Sequence, residues 1–195
     1  MSLYRKPSCM NFENSLKSIC KWCISNPFIG KNDNNLSKKQ ENERMNKAEK
    51  NWGNLLIGRG PENQTSQWTT ILGESIVAEI LSSHGHTVYR PKNINGYKPD
   101  WEIDNAIIEV KTRNWTTSGT AGEKVFGVPY KYAEIPKLYG KPLKIVCVAY
   151  QEYELTHGKT RVFGEDISTE KKEMLAFWKE RKIEFVKFSD IINKF

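Results

Sequence analysis

From Ser66 onward, apolar and polar positions fall into regular patterns. Over residues 67–83, Ile71, Leu72, Ile76, Val77, Ile80 and Leu81 spread around most of the circumference at about 100° per residue. This predicts a largely buried helix, stopped by Gly85. Its polar sector is Ser75, Glu79 and Ser82. Glu74 falls outside that sector, between Ala78 and Leu81, where an unpaired carboxylate is costly to desolvate. It needs either a cationic side chain or a bound cation. Strand patterns follow at residues 87–90, 101–103 and 106–112, then a Gly/Thr-rich loop, then 143–150, which reads as a central strand buried on both faces. Between loop and strand, residues 129–139 predict a short helix interrupted at Pro136. A helix capped at Ser168 or Thr169 and running to Arg181, a strand at 183–188 and a last helical turn complete the pattern. The order predicts an α/β fold, a mixed central sheet flanked by helices with the core order α-β-β-β-α-β.

The first sixty residues look different. Their apolar positions are scattered and residues 31–50 form a polar run of Asn, Lys, Glu and Gln, which predicts an extension or flexible linker at 1–60 and a folded domain at 61–195. Cys20 and Cys23 have zinc-knuckle spacing, but Cys9 is the one further thiol nearby and three ligands do not close a structural zinc site. A small hydrophobic cluster around Trp22 and Phe28 is the expected alternative. No window offers the roughly 18 apolar residues of a membrane span, and the four cysteines do not resemble a secreted framework. A reduced, cytoplasmic protein with no membrane contact is expected.

Charge sharpens the picture once it is divided along the chain. The net charge is +7 over 195 residues. Residues 1–60 hold eleven basic and five acidic side chains, whereas Lys111 to Lys144 hold seven basic residues and two acids, Glu123 and Glu134. A polyanion would be drawn to both stretches in a salt-sensitive way.

Candidate chemistry concentrates between Lys98 and Lys111. Asp104-Asn105 is a turn-former between two runs of alternating apolar residues, which predicts a β-hairpin with Asp100 opposite Glu109. One face then carries Asp100, Glu102, Ile107, Glu109 and Lys111; the other carries Trp101, Ile103, Ala106, Ile108 and Val110 and must face the core. Two carboxylates within about 5.5 Å, Cα to Cα, repel unless a cation lies between them. Mg²⁺ suits this arrangement, held by Asp100, Glu109 and the Val110 carbonyl with water and phosphate oxygens completing the shell. Lys111, on the same face, is placed to orient or deprotonate the attacking water, or to stabilise developing charge on phosphorus. Beyond it, Arg113 extends a basic rim and Asn114 is of a type that reads adenine edges. In the loop, Thr117, Ser118 and Thr120 offer hydroxyls, and Lys124 and Lys131 offer charge, a combination suited to a DNA backbone.

Pro99-Asp100 followed by Glu109-Val110-Lys111 across a β-turn resembles the PD-(D/E)xK nuclease superfamily, over about residues 66–152. The resemblance implies a restriction-endonuclease-like core and a Mg²⁺-dependent phosphodiesterase with Asp100, Glu109 and Lys111 at the motif positions. Some members add a glutamate from the first helix, here Glu74. The segments Trp115 to Lys124, Pro129 to Tyr132 and Cys147 to Glu152 are similar to small type II restriction endonucleases. That implies a homodimer cutting both strands of double-stranded DNA. A repair, recombination or junction-resolving nuclease on the same core, and an inactive DNA-binding module, are the alternatives.

Overall fold

The structure is a computed structural model that describes residues 2–3, 12–29, 36–116 and 120–192. It is a mixed α/β fold built on one six-stranded sheet with spatial order β1 to β6. The strands are β1 (Ser2–Leu3), β2 (Tyr89–Arg90), β3 (Trp101–Glu102), β4 (Ile107–Arg113), β5 (Leu143–Ala149) and β6 (Ile183–Lys187). Strands β1 to β4 pair antiparallel, whereas β4, β5 and β6 run parallel.

Alternation along the strands sends successive side chains to two separate cores. Trp101, Ile108, Val110, Val146 and Val148 meet the helix α3 (Trp68–Ser83) together with Phe188. On the opposite face Ile107, Leu143, Ile145 and Cys147 lie against Val125, Val128, Tyr132, Ile135 and Leu155. The connections supplying that second layer are a 3₁₀ segment at Thr120–Gly127 and the helices α4 (Val128–Lys131), α5 (Ile135–Tyr139), α6 (Tyr150–His157) and α7 (Thr169–Glu180). The hairpin face expected to stay outside the core is therefore covered too: Glu102 and Glu109 are both buried. The 129–139 helix also breaks earlier than expected, at residues 132–134, and Pro136 sits in the first turn of α5 instead of interrupting it. Proline tolerates that place because the amide it lacks has no intrahelical partner there. Helix α3 approaches β4 closely at Gly73, where a Cβ would lie 1.7 Å from Thr112 Oγ1. Only a residue without a side chain fits.

The described parts of the first sixty residues are folded where a flexible linker was expected. They contribute β1 at the sheet edge and the helices α1 (Phe12–Ile24) and α2 (Lys38–Leu56). Ile19, Trp22 and Cys23 are buried in the same cluster as Trp68, Leu72 and Val148, and Phe28, Trp52 and Leu56 pack against it. The scattered apolar positions were thus one helical stripe plus a few aromatic anchors. The cluster expected around Trp22 and Phe28 exists, with Trp22 and Trp52 ring centroids 5.4 Å apart. Among the described residues, no group of three His, Cys, Asp or Glu side chains could hold a metal ion, and no helix is long and apolar enough to cross a membrane.

Helix α2 is fastened by Glu49, which is fully buried. Its carboxylate accepts from Trp22 Nε1 at 2.7 Å, from the Trp115 and Thr116 amides at 2.9 and 3.2 Å, and from Thr116 Oγ1 at 2.9 Å. Charge-assisted bonds of this kind hold a carboxylate that burial alone would expel. Removing it leaves several buried donors unpaired, at about 1–3 kcal/mol each. Glu49→Ala is expected to cost about 3 kcal/mol, a fall in Tm of roughly 6–12 °C for a chain of this size. Deletion of residues 1–50 is expected to abolish cooperative melting, and circular dichroism during heating checks both outcomes.

Candidate active site

Strands β3 and β4 pair Trp101 with Ile108 and Glu102 with Ile107, and the Ile103 amide donates to the Ala106 carbonyl at 2.9 Å across Asp104-Asn105. This is the register expected from the sequence, and one step further places Asp100 across from Glu109. Asp100 Oδ2 accepts the Val110 amide at 2.7 Å. Glu109 Oε1 lies 2.5 Å from Lys111 Nζ.

The two acids share an environment that disfavours charge. Burial first, then the negative charges of Glu109 and Glu74, push the Asp100 carboxyl up to about 7, against the Val110 amide and Lys111. Glu109 is raised as well, burial outweighing the Lys111 and Lys131 charges. Tyr132 lies beside the pair, its hydroxyl pKa raised by burial and then by both carboxylates. The second Glu109 oxygen, Oε2, is buried with no hydrogen-bond partner. An orphaned carboxylate oxygen beside a second desolvated carboxylate fits a hard divalent cation. With two acids in place of three, the Val110 carbonyl, water and phosphate oxygens would complete the shell, as Mg²⁺ commonly allows.

Glu74 reaches this neighbourhood, because its charge raises both acids. Its carboxylate is nevertheless engaged with a cationic side chain: Glu74 Oε2 accepts from Arg90 Nη2 at 2.7 Å. Arg90 also donates Nη1 to the Asp100 carbonyl at 2.9 Å, and its guanidinium carbon lies 3.7 Å from the Trp101 ring centroid. The Trp101 indole in turn donates to the Glu74 carbonyl at 3.0 Å. Glu74, which the resemblance adds to the metal ligands, here forms an ion pair that ties α3 to the start of β3. Arg90 escaped the sequence analysis because its partners lie 10 and 16 residues away on different elements.

Glu109 and Lys111 open into a cleft of about 610 Å³, also lined by Lys124, Lys131 and Gln151. Both lysines expected to face the substrate are thus at the site. Gln151 was missed; it enters after Ala149, whose φ of 56° and ψ of −129° form a strained corner between β5 and α6.

Other expected contacts are used differently. Arg113 is buried, ion-paired with Glu154 and 4.9 Å from the Tyr150 ring centroid, so it braces the end of β4 instead of extending an exposed basic rim. Gly122 permits this close packing, since a Cβ there would lie 1.9 Å from Glu154 Oε2. The Asn114 amide bonds Thr116 Oγ1 at 3.1 Å and Glu49 Oε2 at 3.4 Å, which turns it inward from a base-reading position. Thr117 and Ser118 lie outside the described residues, as does the side chain of Thr120.

Because the Asp100 acid rises from an ordinary 3.8 to about 7, the folded chain binds more protons than the unfolded chain between those values. Stability from this group therefore falls as pH rises through that window. Asp100→Asn is expected to remove that pH dependence and, at pH 8 without divalent metal, to raise stability by at most a few kcal/mol, read as a Tm above wild type. A lower Tm for the variant at pH 8 contradicts the buried-charge account.

Comparison with known proteins returns no matching family model, no matching curated protein and no matching solved structure.

Proposed function

We propose that this chain is a Mg²⁺-dependent DNA endonuclease on a restriction-endonuclease-like core, most specifically a site-specific type II restriction enzyme acting as a homodimer on double-stranded DNA in the cytoplasm. The observation that carries the reading is the Asp100–Glu109 pair, two desolvated carboxylates raised above their ordinary pKa values, one with a buried oxygen lacking any partner. A module that only binds DNA gains nothing from such a pair, whose repulsion costs stability. A metal site uses it, and perturbed acids in a cleft are a physical mark of function.

Asp100, Glu109 and the Val110 carbonyl are the groups that would hold Mg²⁺, which when bound supplies a Lewis acid for a phosphoryl oxygen and acidifies a coordinated water. Lys111 is held against Glu109 and reaches the same space, where it orients the attacking water or stabilises negative charge on the phosphoryl oxygens. Lys124 and Lys131 line the cleft wall and would hold the flanking phosphates. Tyr132 stands beside the acids, its hydroxyl pKa raised first by burial and then by their charges. Two copies are needed to cut both strands of a symmetric target, one site per strand.

Plasmid and phage DNA incubated with the purified chain and Mg²⁺ should give discrete fragments. A smear indicates a non-specific or repair-type nuclease of the same core, and no cutting with Mg²⁺ or Mn²⁺ favours the binding module. Asp100→Asn, Glu109→Gln and Lys111→Ala should each lower the cleavage rate by two or more orders of magnitude, with DNA affinity retained in a gel-shift assay. Glu74→Gln acts on the pair only through its charge and is expected to stay within about tenfold of wild type. A loss as deep as that of Glu109→Gln would return Glu74 to the ligand set.

A further inference from the structure

A second cleft, larger than the one at Glu109, lies apart from the acid pair. It measures about 1220 Å³ and runs between α2 and the segment leaving β4, with Arg113, Trp115, Thr116 and Tyr150 on the far wall. The α2 wall presents Lys38, Lys39, Asn42, Asn46, Lys47 and Lys50, all exposed, with Glu43 the one acid among its lining residues. The remaining charges of α2 are already used: Arg44 pairs with Glu41, and Glu49 is consumed by the buried knot beneath. The α2 lysines that enter none of these pairs thereby gather along this one cleft.

We infer that α2 is the element that enters a groove of the DNA, with Lys39, Lys47 and Lys50 contacting phosphates and Asn42 and Asn46 reading base edges. The partner, duplex DNA, rests on the nuclease proposal; the surface itself rests on three observations. First, charge: four lysines against one glutamate along a cleft attract a polyanion and make binding salt-dependent. Second, chemistry: asparagine pairs bidentately with adenine in the major groove, and Asn42 and Asn46 are one helical turn apart on the same face. A helix of 19 residues is about 28 Å long, and a major groove about 12 Å wide admits it.

Third, continuity joins the two clefts. Lys111, Thr112 and Gln151 line the acid-site cleft, while Arg113 and Tyr150 line the α2 cleft, so the two meet across the carboxyl ends of β4 and β5. Lys111 and Arg113 are separated by about 6.6 Å of strand, the rise of about two base pairs. A duplex with a phosphate at Glu109 and Lys111 therefore continues over α2 within a few base pairs. Glu49 makes the link rigid, since it bonds the Trp115 and Thr116 amides directly beyond β4.

The test uses the full chain in metal-free buffer, with binding to a fluorescent duplex measured by anisotropy over a salt series. All five side chains are exposed, so unchanged Tm values verify folding. The Lys39→Ala, Lys47→Ala, Lys50→Ala triple variant should lose tenfold or more in affinity at about 0.1 M salt. Its plot of log K against log salt should be shallower by about 2–3, near 0.9 for each phosphate contact removed. Arginine at the same positions should restore the slope. Asn42→Ala, Asn46→Ala should keep the slope and lose preference for A·T pairs in selection from a randomised duplex pool. An unchanged slope in the lysine variant, or no DNA binding by the wild-type chain, overturns the inference; retained A·T preference overturns the role of the asparagines. Binding that depends on α2 without cleavage in any divalent metal sinks the nuclease proposal and leaves this one standing. Cleavage with binding indifferent to α2 does the reverse.

Discussion

Two negative charges that repel each other are held in one place, and much of the structure is arranged around keeping them there. Asp100 and Glu109 face each other because a two-residue turn fixes the β3–β4 register. Neither can turn away, since a slip of one residue would drive Trp101, Ile108 and Val110 out of the core formed with α3. Hydrophobic burial thus enforces an electrostatic conflict that the chain resolves only in part. Lys111 offsets one oxygen of Glu109, the Val110 amide binds Asp100, and Arg90 draws off Glu74, the third contributor to the negative field. The remaining deficit is visible as an unpaired oxygen and two raised pKa values.

A second buried carboxylate shows the opposite solution. Glu49 is more deeply buried than Glu109, yet donors from Trp22, Trp115 and Thr116 satisfy it. Both acids are buried, and what differs between them is the supply of donors. Glu49 uses that supply to lock α1, α2 and the exit of β4 into one unit, so the helix carrying the lysine and asparagine face is set relative to the strand carrying Glu109 and Lys111.

The strands and their register were legible from the sequence because period-two alternation and the Asp104-Asn105 turn are local signals. The acid pair followed from that register. What escaped was long-range. Arg90 sits on a two-residue strand and its role depends on Glu74 and the Asp100 carbonyl, which the fold brings to it. Glu49 lies in a run so polar that it suggested a linker, although Ala48, Trp52 and Leu56 at four-residue spacing carry a thin apolar stripe. Arg113 and Asn114 have side chains suited to DNA, and only the proximity of Glu154 and Glu49 shows them spent on internal contacts. In each case the missing information was the partner, because partner choice is a tertiary property.

The distribution of charge follows the same division of labour. Residues 61–195 are close to neutral, with many of their basic groups tied up in pairs such as Arg90–Glu74, Arg113–Glu154 and Lys141–Glu102. Pairs of this sort orient side chains but contribute little long-range field, since their charges cancel beyond a few ångströms. Among the described residues, the α2 lysines and Lys124 and Lys131 form no comparable ion pair, and they stand on two clefts that also hold Arg113 and Lys111. A polyanion approaching the molecule therefore meets an attractive potential along the path that ends at Glu109 and Lys111. A bare pair of buried acids would repel the same substrate. On the proposed function, these basic surfaces offset the repulsion between a buried acid pair and a negatively charged partner.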